Sequence, residues 1–267
     1  MVDSDPFESP KLLVSGARED IDQFESGEGA FFGPGDVGVT VQEVDPKTKY
    51  TFVKFRITKA IPTVLRRRAN NILNDLRHAL DQALFAAARI VLKEDPGDVH
   101  FPFATSPKDL EGRLKATRKG AGVLKIPVAL HDVIRSFEPY PRGNGHDGGD
   151  DLLRLLGAVS GPNKHQFTIG IGVNASLIRH IKTDGRFYKL HAPVMNSKYK
   201  DLILFSIAPD GYLYHESSIP MYISFREAGN VTDFAMLETL QLWAGIVERI
   251  VNGLEDFATH SKLPLGT

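Results

Sequence analysis

Cysteine is missing from the chain altogether, tryptophan occurs once, and neither charge sign is in excess. Without cysteine there is no disulfide framework, no thiolate nucleophile and no cysteine-ligated zinc or iron–sulfur cluster. Thirty-two Lys and Arg stand against 33 Asp and Glu, giving a net charge of −1. An extended nucleic-acid surface is normally clearly basic, so none is expected, although a local phosphate pocket remains open. No apolar run approaches the roughly 18 residues that a membrane span needs. The start, Met1-Val2-Asp3-Ser4-Asp5-Pro6, is acidic and lacks the basic and apolar regions of a signal peptide. Together these place the protein in the cytoplasm, away from membranes.

Several kinds of chemistry are also missing. None of the nine histidines has another three or four residues away, so there is no helical zinc motif and no metal is expected. There is no P-loop, no G-x-S-x-G elbow and no EF-hand loop, and no cofactor is implied. Gly170-Ile171-Gly172-Val173-Asn174-Ala175 fits G-x-G-x-x-A after a strand, but no βαβ unit follows and no acid is suitably placed. Arg186 and His191 have the R-x4-H spacing of HEPN ribonucleases, yet their segment reads as a strand, whereas that motif works from a helix.

What is present is enough apolar material, 42% of 267 residues, to bury a large core. Val14, Ala17, Ile21 and Phe24 recur at helical spacing between Pro10 and Glu25, and the glycines from Gly27 onward are expected to end that helix. Val37 to Val44 and Tyr50 to Thr58 read as a hairpin around Asp45-Pro46-Lys47-Thr48. The longest helix of the first half runs from Pro62 to about Leu92. Ser106 caps a helix to about Thr117, Pro127 to Phe137 forms another, and Asp150 or Asp151 caps Leu152 to Val159. Strands follow at Phe167 to Val173, Arg186 to His191, Leu202 to Ile207, Tyr212 to His215 and Met221 to Phe225. A final helix is expected from a Thr232 cap to about Ala258. The architecture is therefore α+β, with helices on a mostly antiparallel sheet and a long closing helix. It reads as one domain over 1–267, with the Gly- and Pro-rich stretch 139–150 as the best flexible connection.

Two polar segments are not needed to build a core. On the helix Pro62 to Leu92, Asn70, Asn74, Arg77 and Asp81 fall at steps of four, three and four, lining one edge of the apolar face. Arg77 and Asp81 are spaced to pair. Asn163-Lys164-His165-Gln166 stands between a helix stop and a strand, where side chains can project from a fixed scaffold. Lys164 can hold an anion, His165 can exchange a proton near neutral pH, and Asn163 can orient either. Arg66-Arg67-Arg68 opens the long helix, where cations oppose the macrodipole and suit either anion capture or a solvated face.

Read in order, Asn71-x-x-x-Asp75-Leu76-Arg77-x-Ala79-Leu80-Asp81, His100-Phe101-Pro102-Phe103, Phe137-Glu138-Pro139-Tyr140 and Asn163-Lys164-His165-Gln166 resemble a family of uncharacterised bacterial and phage-borne proteins. Its members carry L-R-x-x-L-D-H, F-P, q-P-Y and D-K-H-R in that order. The resemblance covers roughly Pro10 to Val173 and implies a shared architecture and site position, with no activity to carry over. Gln82, Asn163 and Gln166 stand where that family has His, Asp and Arg.

The resulting expectation is a site for a phosphate-bearing small molecule where Arg77, Asp81 and Asn74 meet Asn163, Lys164 and His165. His165 would transfer the proton, Lys164 and Arg77 would hold the anion, and Asp81 would orient Arg77 or His165, in a hydrolytic reaction. The other reading is a non-catalytic structural or interaction protein in which these motifs are buried networks.

Overall fold

A computed structural model describes residues 5–33, 37–115, 126–143, 145–160, 168–173, 182–183, 188–190, 201–209, 211, 213–214, 221–227 and 230–260. The protein is α+β. Its chain divides into two compact units, each drawn from separate stretches of sequence. Residues 1–22, 68–166 and 239–267 make the first, and 23–67 and 167–238 make the second. The stretch 139–150 lies inside the first unit. Among the described residues no helix is long and apolar enough to cross a membrane.

The first unit is helical. It takes the opening half of α1 (Glu8–Phe32), most of α2 (Thr63–Leu92), α3 (Pro107–Leu114), a 3-10 turn (Val128–Leu130), α4 (His131–Ser136), α5 (Asp151–Val159) and most of α6 (Met236–His260). Ser9 donates to Gln82 at 2.7 Å and Arg68 meets Asp20 at 3.3 Å, so α1 and α2 run antiparallel. Lys11 with Glu255 at 2.6 Å and Arg18 with Glu248 at 2.5 Å set α6 antiparallel to α1 in the same way. Helix α2 buries Ala69, Ile72, Leu73, Leu76, Leu80, Ala83, Leu84 and Ala87, on the apolar face that its periodicity predicts. From α6, Leu240, Trp243, Ala244, Val247, Val251 and Leu254 are buried, and the Trp243 indole donates to the Leu152 carbonyl at 2.7 Å. Ser106 caps α3 with Pro107 at the first helical position, and Asp150 caps α5 by accepting from Leu153 at 2.9 Å.

The second unit holds the strands. Four of them, in spatial order β1 (Gly38–Val44), β2 (Thr51–Ile57), β6 (Asp201–Ile207) and β5 (Tyr188–Leu190), form one sheet. β3 (Thr168–Val173), β8 (Met221–Glu227) and β9 (Asn230–Ala235) form another, and β4 (Lys182–Thr183) pairs with β7 (Leu213–Tyr214). Every pairing between these strands is antiparallel. At the β1–β2 turn Asp45 accepts from the Lys47 amide at 2.8 Å, and Lys49 takes the left-handed conformation at φ 62°.

Two helix boundaries differ from expectation. Helix α1 does not stop at Gly27 but continues to Phe32. A Cβ at Gly27 would come within 2.6 Å of Leu65, so the glycine there makes room for a neighbouring helix rather than ending its own. At the other end Thr232 does not stand at the start of α6. It lies within β9, which pairs with β8 through Phe225 and Phe234, and α6 begins only at Met236. Backbone pairing with β8 decides that segment over its cap-like Thr-Asp sequence.

Candidate functional site

The polar edge of α2 closes on the segment that follows it. Arg77 Nε lies 3.2 Å from Asp81 Oδ2, the one-turn pair that the spacing predicts. The Phe101 amide donates to Asp81 Oδ1 at 2.8 Å, and Arg77 Nη2 reaches the Phe101 carbonyl at 3.5 Å. Arg77 also lies over the Phe103 ring, with its guanidinium carbon 4.4 Å from the centroid. The pair therefore grips the backbone and side chains of 101–103. Both are largely covered, at 21% and 19% side-chain exposure.

His100 completes the cluster. Its Nδ1 lies 3.4 Å from Asp81 Oδ2 and its Nε2 2.9 Å from Asp98 Oδ1, while the imidazole stays 45% exposed and Asp98 62%. A neutral imidazole has one N–H and so can donate to only one of these carboxylates at a time. Nothing in the pattern of α2 points to His100, because its partner Asp81 lies on a different element. Its only sequence signal is its place immediately before Phe101-Pro102.

The third motif packs against the second. The Ala104 amide donates to the Pro139 carbonyl at 2.8 Å, and the Phe101 and Phe137 rings stand 6.5 Å apart. Glu138 holds the left-handed conformation at φ 49°, and its carboxylate accepts from the Gly149 amide at 2.8 Å. Its carbonyl accepts from Tyr140 and Asp150, which closes the loop 138–150 onto the cap of α5. Gly148 is at φ 80°, a conformation that a side chain strains to adopt, and a Cβ there would also displace the Glu138 carboxylate, whose Oε1 would lie 2.3 Å away. Helix α5 is seated on Phe103 likewise, since a Cβ at Gly157 would lie 2.4 Å from the ring.

Of the residues expected at the site, Arg77 and Asp81 are therefore together, and half-buried Asn74 on the same edge is engaged in an interaction of its own. Asn163, Lys164, His165 and Gln166 lie outside the described residues. Two residues before Arg77, burial pushes the Asp75 carboxyl above its ordinary range; Asp20 adds to this and His78 opposes it. Among the described residues no group of three His, Asp or Glu side chains could hold a metal ion. Comparison with family models, with curated proteins and with solved structures gives no match.

Proposed function

We propose that the Arg77, Asp81 and His100 cluster belongs to a cytoplasmic small-molecule site for a phosphate-bearing ligand with hydrolytic chemistry, in which His100 transfers the proton. The observation that carries this reading is the divided use of Asp81. One carboxylate oxygen is fixed by the Phe101 amide and the other faces His100 Nδ1, so a held carboxylate orients a ring that solvent still reaches. Asp98, the more exposed acid, can leave Nε2 to a water or a leaving group. Arg77 contributes positive charge beside the ring. Asn163, Lys164 and His165 are kept as further ligand contacts; they follow in sequence the helix α5, which packs through Gly157 on Phe103.

The test is a thermal-shift screen of nucleotides and inorganic phosphate on the parent and on His100→Ala and His165→Ala. Both substitutions should leave the unliganded melting temperature nearly unchanged, His100→Ala because its ring is accessible and such positions cost within about 0.5 kcal/mol, and His165→Ala if it is a ligand contact as proposed. Both should reduce the shift that a phosphate compound produces in the parent. A parent that no compound shifts sinks the proposal.

A second reading has its own support. Arg77 and Asp81 both bond the Phe101 backbone, as a strut would, and their motif would then serve only to dock 98–104 on α2. It predicts no ligand shift at all, with the loss on substitution confined to stability.

A further inference from the structure

The near-neutral total charge conceals an uneven distribution. From Asp45 to Arg67, all within the second unit, seven cations (Lys47, Lys49, Lys54, Arg56, Lys59, Arg66 and Arg67) are matched by Asp45 alone. The Asp45 carboxylate is occupied in the turn, accepting from the Lys47 and Thr48 amides. Lys47, Lys49, Lys59, Arg66 and Arg67 are all exposed. Lys54 and Arg56 share the one carboxylate of Glu43 across the ladder, and Arg56 is also in register with Asp201.

Strand geometry sets these side chains in order. Val53 and Phe55 are buried, so Phe52, Lys54 and Arg56 occupy the opposite face, where they are half-buried, and Tyr50 continues that face toward the turn with 38% of its surface exposed. Alternate residues from Tyr50 to Arg56 span about 20 Å at the usual rise per residue. The lysines of the turn lie at one end of this strip, and Lys59 with the first residues of α2 follows the other. Aromatic rings on a sheet face, between cations that track a charged backbone, are what a flexible polyanion with planar bases requires. Duplexes and anionic membranes use the cations but leave the rings without a role.

We infer that the face of the β1–β2 hairpin that carries Tyr50 and Phe52, with the exposed cations that flank it, binds single-stranded nucleic acid without sequence preference. The site is separate from the cluster on α2 and needs no catalysis.

The test uses the full chain and fluorescence anisotropy of a labelled oligothymidylate of about twenty nucleotides, longer than the roughly 20 Å strip needs. The same-length duplex and phosphatidylserine vesicles run alongside. The single strand should bind more tightly than the duplex or the vesicles, and affinity should fall with salt at a log–log slope of about −2 to −4, since each phosphate contact on a single strand contributes about −0.7. Lys47→Glu with Lys59→Glu should weaken binding at least about tenfold and flatten the slope. Tyr50→Ala should weaken single-strand binding about tenfold, within the range for one stacked base, and leave the slope alone. Circular dichroism and melting confirm that the variants fold. Absence of binding at low salt, binding indifferent to charge reversal, or equal binding of duplex or vesicles with no effect of Tyr50→Ala would each overturn the inference.

Discussion

Asp81 serves three neighbours with two oxygens, and removing it separates what each one needs. Asp81→Ala leaves the Phe101 amide without its acceptor, and takes the carboxylate away from Arg77 and from His100. The expected cost is about 1–3 kcal/mol in denaturant unfolding, the range for a covered donor left unmade. Asp81→Asn keeps an acceptor for Phe101 and should recover part of that loss. If both variants unfold like the parent, the carboxylate is not holding the 98–104 segment. The Arg77–Asp81 pair was legible in the sequence because a helix makes neighbours of residues four apart. His100 was not legible, because the contact that gives it a role joins two elements. Glu138 was named only as part of a motif, and its left-handed backbone depends on the loop that closes over it.

At the scale of elements, periodicity succeeded where one face meets one core. Helix α2 buries the residues that its apolar spacing selects from Leu65 to Ala87, with Leu80 fully covered near the middle, while Val91 in the last turn is half-buried. Leu80→Asp should therefore destabilise by several kcal/mol, since it buries a charge with no partner. A melting temperature near the parent's would mean that the face is wrongly assigned. Local signals failed where a partner overrode them. Gly27 reads as a stop until Leu65 is seen against it, and Thr232 reads as a cap until β8 pairs with its segment. The short strand β4 is not legible because it exists by virtue of a pairing about thirty residues on in sequence, and β9 is masked by its own cap-like Thr-Asp although its partner β8 immediately precedes it. The caps Ser106 and Asp150 needed no such knowledge, since their hydrogen bonds close within three residues.

For the whole molecule, acid acts on two sets of carboxyls in opposite directions. Lys54 beside Glu43, and Arg135 beside Glu111, hold those carboxyls below the usual range. Their stabilisation is present above the ordinary value, near about 4, and is lost as pH falls; both are accessible, so salt weakens it. Glu28 behaves oppositely. Burial raises its carboxyl, Glu25 and Glu238 add to this, and the Ile223 amide, donating at 2.6 Å, pulls the other way. A raised acid binds its proton more readily in the folded state, so its charge costs stability at neutral pH and the cost fades as pH falls through the raised value. Glu28→Gln keeps an acceptor for Ile223 and removes the charge. It should melt above the parent at neutral pH, with the gap closing toward acid, and a gap that widens on acidification would contradict this account.

The pairing of α1 with α6 also has a consequence in time. Lys11 waits for a partner 244 residues further along the chain. At a synthesis rate of about 5–20 residues per second, that is roughly ten to fifty seconds of translation. Throughout that interval Val14 of the first helix lacks Val251, which lines the same cavity in the folded chain. The nascent chain thus carries an open apolar stripe from nearly its first turn, and the helical unit closes only once the last helix has left the ribosome.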